Sequence, residues 1–187
     1  MWTPQMKSFV TRLVYKYHAE LKAKGYDVLP IEEVKFSSAI NTFGTCIRHN
    51  RTNTCTIKIS ERCFYSGESK LKNTILHELC HGIRDSKGHG EMWKYYANKI
   101  GKEYNTHITQ YASEEECANS AEYVKERYNW EVVCECCGNT NKYVRQTKHI
   151  KDIMAGNGHR WCCGKCHEVG KFKVKSLKKG MKIYSVH

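Results

Sequence analysis

Residues 74–90 read TILHELCHGIRDSKGHG, and the H-E-x-x-H pattern within them is the strongest constraint on the fold. Apolar residues recur around the pattern at helical spacing, which predicts a helix. On a helix, His77 and His81 lie one turn apart on the same face and can bind one ion. Neutral imidazole is a good zinc ligand, and Glu78 is placed to take a proton from a zinc-activated water. The pattern predicts a catalytic zinc site rather than a core helix that carries polar residues.

Such a site needs a third protein ligand. The metzincin pattern H-E-x-x-H-x-x-G-x-x-H is not met, because Arg84 and Lys87 occupy its glycine and third-histidine positions. Glu103 could serve as the downstream glutamate of a thermolysin-like site, but it lies beyond the end of the next predicted helix. His89 stands between two glycines, which let the chain turn back toward the first helix. We therefore prefer His89 to Glu103 as the third ligand.

A second group of metal-ligand residues lies near the C-terminus. Two C-x2-C pairs, separated by 25 residues, predict a structural zinc held by four thiolates, Cys134, Cys137, Cys163 and Cys166. A unit of this size with few apolar side chains would not fold without the metal. Neighbouring residues remain as alternative ligands, namely Cys136, His159, Cys162 and His167. The other cysteines have no ligand spacing and are expected to be buried thiols, namely Cys46, Cys55, Cys63, Cys80 and Cys117.

The charge is unevenly distributed along the chain. The net charge is +12; residues 131–187 hold 12 Lys and Arg against 4 Asp and Glu, whereas residues 1–130 hold 19 against 15. We place a domain boundary after residue 130, which gives a larger domain, 1–130, and a small basic domain, 131–187, with a short C-terminal tail. A basic domain favours a polyanionic partner, most simply nucleic acid, although a solvated basic surface is the alternative.

Cations and aromatic residues alternate in the basic domain, a pattern typical of proteins that bind single-stranded nucleic acid. Lysines neutralise phosphates, and rings stack on unpaired bases. Trp161 and Phe172 can equally form the small core of this domain. The candidate contacts are Lys142, Tyr143, Arg145, Lys148, Arg160, Trp161, Lys171, Phe172 and Lys173.

Periodicity along the chain predicts an α+β fold. Helices are expected over residues 3–25, 71–83, 93–100 and 113–128, and strands over residues 34–40, 44–49 and 55–60. The chain has no long apolar run and its N-terminal stretch has no apolar core of a signal peptide. We therefore expect an intracellular protein in a reducing compartment, where clustered thiols bind metal rather than form disulfides.

Four features together resemble one family: HELCH, the GHGEMW that follows it, the upstream VKFSSAINTFGTC and TCTIKIS, and the two downstream cysteine pairs. They resemble the SprT-like zinc metallopeptidases, the family of Spartan-related DNA–protein crosslink proteases, over residues 34–166. The resemblance implies a compact zincin-like core, with helices packed on a small, mostly antiparallel sheet, followed by a small β zinc ribbon. It also implies that His77, His81 and His89 bind zinc, that Glu78 is the base, and that DNA binding triggers cleavage.

We therefore expect a monomeric zinc endopeptidase with one catalytic and one structural zinc, without a membrane partner. It would bind DNA, preferably single-stranded, and cleave proteins bound or crosslinked to that DNA. A non-catalytic zinc-ribbon module that binds nucleic acid in transcription or replication is an alternative, but it leaves Glu78 and His89 without a purpose. A metal-dependent hydrolase of small molecules is a further alternative, but it leaves the basic domain unexplained.

Overall fold

The computed structural model describes residues 2–178 and the backbone of residues 183–185. The chain forms two compact units, Met1–Tyr123 and Val124–His187. Both combine helices with a small sheet, in agreement with the predicted α+β class. The functional assignment of 1–130 and 131–187 stays a prediction. The expected C-terminal tail includes residues 179–182 and 186–187, which lie outside the described residues.

The first unit begins with a helix whose ends are set by local chemistry. The Thr3 side chain accepts a hydrogen bond from the backbone N–H of Met6, Pro4 stands at the first helical position, and Gly25 at φ +87° follows the helix end. The elements of this unit, in chain order, are α1 (Pro4–Ala23), β1 (Ile31–Ser37), β2 (Gly44–His49), β3 (Thr54–Ser60), α2 (Glu61–Tyr65), α3 (Glu68–Gly82), α4 (Glu91–Glu103), α5 (Glu114–Asn119) and α6 (Ala121–Arg127), the last of which contains the division point.

The three strands form a sheet in the order β1-β3-β2. The hairpin of β2 and β3 is antiparallel, with Gly44 opposite Ile59 and His49 opposite Thr54. The pairing of β1 with β3 is parallel, so half of the pairings in this sheet differ from the mostly antiparallel sheet that we expected. Apolar alternation marks which side of a strand is buried, but it does not report strand direction. Strand β2 lies at the edge of the sheet.

Helix α3 is the central element of the first unit. It packs on α1, α2, α4, β2 and β3, and Ile75, Leu76 and Leu79 are fully buried in the core. This burial covers most of the helix surface and leaves one polar sector, which carries the H-E-x-x-H residues.

Two helical features differ from the expectations. Helix α2 was not predicted, and the helix expected over residues 113–128 is divided into α5 and α6 at Ser120. The Ser120 hydroxyl lies within hydrogen-bond distance of the carbonyl oxygens of Glu116 and Cys117, and such bonds compete with the helical backbone pattern. The capping box between Ser113 and Glu116, which the sequence predicted, is present.

The second unit contains a four-stranded antiparallel sheet with one helix packed on it. Its elements are β4 (Trp130–Cys134), β5 (Thr140–Tyr143), α7 (Lys148–Met154), a 3-10 turn (Gly158–Arg160), β6 (Phe172–Ser176) and β7 (Ile183–Ser185). The strand order is β5-β4-β6-β7. Ile150 and Ile153 of α7 pack against Val132 and Val174 to form a small core. Among the helices of residues 2–178, none has the length and apolar composition needed to cross a membrane.

Candidate metal centres and cleft

The two histidines of α3 and the histidine before α4 bring three ring nitrogens together. Nε2 of His81 lies 3.2 Å from Nε2 of His77 and 3.1 Å from Nε2 of His89, and the His77–His89 distance is 3.2 Å. Two nitrogens bound to one tetrahedral zinc at about 2.0–2.1 Å are separated by about 3.3 Å. The three predicted ligands are thus placed together at the separations that one zinc ion requires.

The protonation of these rings suits metal binding. Nδ1 of His77 lies 2.9 Å from the carbonyl oxygen of Thr109, which can only accept, so Nδ1 carries the proton and Nε2 presents its lone pair. Burial, with a smaller contribution from the neighbouring imidazole, lowers the pKa of His77 to about 4 and that of His81 to about 4. Burial also lowers the pKa of His89. Neutral imidazole is the form that binds zinc.

Trp93 of α4 forms the wall behind the three imidazoles. Its ring centroid lies 4.8 Å from that of His77, 5.4 Å from that of His81 and 4.5 Å from that of His89. The indole is 2 % exposed. One buried ring in contact with all three ligands fixes their orientation and excludes water from that side.

Glu78, the predicted base, is buried next to the histidines on α3, and its side chain is 5 % exposed. Burial raises the pKa of this carboxyl to about 8, against the opposing effect of a hydrogen bond from the Cys46 backbone. A general base works best when its pKa lies near the working pH. Burial thus makes the Glu78 carboxyl easier to protonate than an exposed glutamate, which suits a residue that accepts a proton.

Strand β2 approaches α3 so closely at Gly44 that a side chain would not fit there. A Cβ atom at this position would lie 2.7 Å from Oε1 of Glu78 and 2.8 Å from Cγ2 of Thr74, closer than real Cβ atoms approach other atoms. Gly44 therefore leaves the space between strand and helix that the Glu78 carboxyl occupies.

Arg48, also on β2, holds the loop that leads from α3 to the third histidine. Its NH1 donates to the carbonyl oxygens of Ile83 (3.3 Å) and Ser86 (2.7 Å), and its NH2 donates to that of Arg84 (2.6 Å). Ile83 caps the C-terminus of α3, where carbonyl groups lack helical partners. One guanidinium therefore fixes three carbonyls of the loop before His89.

The loop also depends on one glycine conformation. Gly88 has φ +54°, in the left-handed region that favours glycine, whereas Gly90 at φ −69° is the N-cap of α4. The turn predicted from the two glycines around His89 therefore requires only the first of them.

Glu103, the alternative third ligand, has other partners. Its Oε1 accepts a 2.6 Å hydrogen bond from the Tyr26 hydroxyl, and its Oε2 lies 2.9 Å from Nζ of Lys24. It does not belong to the histidine cluster.

Two clefts meet at the histidine site. One has a volume of about 450 Å³ and extends past Phe43 and Lys70, and the other has a volume of about 610 Å³ and extends past Arg48. Both are lined by His77, Glu78 and by Gly44 at the start of β2. His77 and His89 are therefore accessible from both clefts, and His81 lines only the second.

In the second unit, the four predicted cysteines form one cluster. The Cys134–Cys166 and Cys137–Cys163 sulfur pairs are each 3.6 Å apart, and two thiolates at about 2.3 Å from one tetrahedral zinc are separated by about 3.8 Å. Backbone N–H groups of Cys166 and Lys165 hold the pKa of the Cys163 thiol down, at about 6, which favours the thiolate. The cluster therefore fits a structural zinc.

The alternative ligands near the cysteine cluster lie outside it. Cys136, His159, Cys162 and His167 are exposed and are not part of the group of sulfur atoms. His167 instead forms the turn after its cysteine pair: its backbone has φ +59° after Cys166, as Gly138 has φ +69° after Cys137. Of the isolated cysteines, Cys55, Cys63 and Cys80 are buried as expected, whereas Cys46 and Cys117 are only partly buried.

The aromatic residues predicted to stack on bases face the core of the second unit. Phe172 is 4 % exposed, so its ring is not available to a base, and the core alternative applies to it. Tyr143 and Trp161 are partly buried against the same core. The Trp161 ring N–H also donates to Oδ2 of Asp152 at 3.0 Å. Strand pleating explains the placement of Phe172, since alternate residues of β6 point inward.

Of the predicted cationic contacts, some lie on the sheet of the second unit and others lie outside its strands. Lys142, Lys173 and Lys175 lie on the outer face of the sheet. Lys142 and Lys175 pair with Glu131, and Lys173 pairs with Val133. Glu131 and Val133 are two residues apart on β4 and so point to the same face. The other four are exposed and lie outside the strands, namely Arg145, Lys148, Arg160 and Lys171.

The sequence model of the SprT-like family matches residues 11–112, more than half of the chain. The chain belongs to the SprT-like family. The human germ cell nuclear acidic protein is 29 % identical over 106 residues, which cover 52 % of this chain and 12 % of that protein. Because the chain spans so small a part of this relative, the match supports the SprT-like domain and not an activity of the whole relative.

The SprT-like match includes the three histidines, Glu78, Gly44 and Arg48, but it ends before the cysteine cluster. Sequence reasoning missed the roles of Gly44 and Arg48, since the hydrogen bonds of Arg48 reach residues 35 to 38 positions away. The glycine at the first position of the predicted strand 44–49 was the one signal that could have indicated a close approach of another element.

We predict that Arg48→Met weakens zinc binding at the histidine site by about tenfold, the lower end of the effect of removing an outer-shell partner. The loop before His89 would lose three hydrogen bonds, and the third nitrogen would be held less firmly. Competition with a chromophoric chelator measures the affinity. Lys87→Met, in the same loop at an exposed position, is the matched control. Equal affinity in Arg48→Met and wild type would contradict the role of Arg48.

We also predict that the wild-type protein binds two zinc ions per chain. His77→Ala should bind one, and the double variant Cys134→Ser and Cys163→Ser should also bind one. Only the cysteine variant should lose structure in the second unit, because that core is small. Metal mass spectrometry and circular dichroism measure the two effects. One zinc in both wild type and His77→Ala would show that α3 holds no stable metal.

Proposed function

We propose that this chain is a zinc-dependent endopeptidase that binds DNA and cleaves proteins bound or crosslinked to it. One observation carries the catalytic part: three imidazole nitrogens, 3.1–3.2 Å apart, lie beside a buried glutamate in an open cleft. Membership of the SprT-like family, which is related to metallopeptidases, supports the same class of reaction. The site therefore favours hydrolysis of a peptide bond.

The substrate would lie along strand β2. Among the described residues, no strand pairs with the outer side of β2, and its free backbone groups can pair with an extended peptide. Ile47, on the solvent side of β2, is 42 % exposed and can contact the substrate. Because β2 begins at Gly44, next to Glu78, a peptide in this position would carry its scissile bond past the histidines.

The chain contributes ligands, a base and a closed rear wall. Zinc held by the three histidines would polarise the scissile carbonyl and lower the pKa of a water molecule. A carboxylate oxygen of Glu78 would take the proton from the attacking water and pass it to the amide nitrogen as the C–N bond breaks. Trp93 would exclude water from the far side of the ligands.

DNA would bind to the outer sheet face of the second unit through its phosphates. Lys142, Lys173 and Lys175 share this face with a single acidic side chain, Glu131, whose Oε2 lies 3.5 Å from Nζ of Lys175. Preference for single-stranded DNA stays a prediction, and any base stacking would depend on Tyr143 or Trp161. Phosphate contact requires no such ring.

Glu78→Gln should retain two zinc ions but lower cleavage of a DNA-bound protein by at least about a hundredfold, since the proton transfer is lost. Gel analysis of the cleaved substrate and metal mass spectrometry on the same preparation provide the two readings. Glu103→Gln is the control, because that carboxylate binds Lys24 and Tyr26 away from the zinc ligands. Full activity in Glu78→Gln would remove this residue from the mechanism. Zinc and DNA binding without cleavage by wild type would favour the non-catalytic nucleic-acid-binding module.

Replacing Lys142, Lys173 and Lys175 together with alanine should weaken DNA binding and reduce its salt dependence. Each lost phosphate contact should reduce the slope of log affinity against log salt by about 0.9 for duplex and about 0.7 for single strands. Fluorescence anisotropy with both kinds of DNA measures this. The control is alanine at three exposed cations of α1, Lys7, Arg12 and Lys22. An equal loss in the two triple variants would argue against a specific face.

A further inference from the structure

The cleft that contains Glu78 extends to a group of side chains that peptide hydrolysis itself does not require. Phe43, Arg62 and Lys70 line this end of the cleft. The guanidinium carbon of Arg62 lies 4.3 Å from the centre of the Phe43 ring, and Nζ of Lys70 lies 4.5 Å from it. Cations within about 6 Å of a ring centre are attracted to its face. One aromatic ring therefore holds two cations at the wall of the candidate active site.

The two cations differ in their partners. Nζ of Lys70 lies 2.8 Å from Oε2 of Glu116, so the charge of Lys70 is compensated. Nε of Arg62 donates to the Ser120 hydroxyl (2.9 Å) and its NH1 donates to the Ile40 carbonyl oxygen (2.7 Å), both of which are neutral. Within residues 2–178, Arg62 forms no ion pair with a carboxylate. The hydrogen-bond partners of the Arg62 guanidinium among the described residues are therefore neutral groups.

The guanidinium of Arg62 is already fixed in position. Its two hydrogen bonds and the ring contact hold the group, yet they use only two of its five N–H donors. The planar fork of arginine matches a carboxylate, and little freedom remains to be lost on binding. Glu78 is the one carboxylate among the residues that line this cleft, and it is assigned to proton transfer. A ligand carboxylate can therefore supply an ionic partner that the lining of this end of the cleft does not.

We propose that Arg62 forms a subsite for an acidic side chain of the protein substrate, an aspartate or glutamate near the scissile bond. This inference rests on the proposed peptidase function. The substrate carboxylate binds the guanidinium donors that Ser120 and Ile40 leave free, while the Phe43 ring packs against its methylene groups. A glutamine of the same shape leaves the arginine without an ionic partner, so it binds less well.

The test uses peptide pairs that differ only by glutamate or glutamine, placed in turn at each position that flanks the scissile bond. Wild-type protein should cleave the glutamate peptide with a kcat/KM about tenfold higher at one position, the discrimination expected from one charge-assisted hydrogen bond. Arg62→Gln should reduce that ratio to about one. Arg12→Gln, at an exposed position of α1, is the matched control and should leave the ratio unchanged.

Two results would overturn the subsite: equal cleavage of both peptides by wild type at every position, or an unchanged preference in Arg62→Gln. Circular dichroism and zinc content establish whether that variant is folded. If it is not folded, Arg62→Lys replaces it, since lysine keeps the charge but loses the planar fork. The preference should then fall severalfold, and an undiminished preference would again overturn the proposal.

A binding measurement separates this proposal from the proposed reaction. Zinc-loaded Glu78→Gln protein, with and without Arg62→Gln, is titrated with the same fluorescent peptides. Tighter binding of the glutamate peptide that depends on Arg62 supports the subsite even if wild type cleaves nothing, in which case only the peptidase function fails. Cleavage without preference, together with equal binding, rejects the subsite and leaves the peptidase function in place.

Discussion

The contact between one face of strand β2 and helix α3 is the interaction on which the rest of the site depends. Gly44, Cys46 and Arg48 alternate along β2, so they point to the same side. Gly44 leaves room for the Glu78 carboxyl, the Cys46 backbone donates to it, and Arg48 binds the loop that leads to His89. A slip of one residue in the pairing of β2 with β3 would turn all three away from α3.

Short sequence patterns predicted the features that neighbouring residues determine, such as helices. The four-residue spacing of His77 and His81 predicted a helix with both rings on one side, and α3 has this form. Two features depend on how distant segments pack together: the parallel pairing of β1 with β3 and the three hydrogen bonds of Arg48. The sequence near these residues therefore contains no pattern that predicts them. Helix α7 was missed for a different reason: Ile150 and Ile153 are its only two buried residues, too few to show a helical period.

Residues 171–175, KFKVK, show why an alternation of cations and apolar residues does not tell whether an aromatic ring packs in the core or stacks on a base. In β6, Phe172 and Val174 are buried while Lys173 and Lys175 lie on the other face, as pleating requires. A single-strand-binding surface and an ordinary half-buried strand therefore produce the same sequence of cations and apolar residues. The pattern supports a basic face in both cases, but only burial decides whether the rings are available to bases.

The histidine site couples metal binding to the stability of the first unit. His77 donates from Nδ1 to Thr109, so its Nε2 presents a lone pair toward Nε2 of His81, 3.2 Å away. Burial and the neighbouring imidazoles lower the pKa of both rings to about 4, which favours the neutral form that binds metal. An ion that binds these nitrogens only in the folded state would add to folding stability. The packing of β2 on α3 places these ring nitrogens together, so Gly44 and Arg48 shape the site although neither is a ligand.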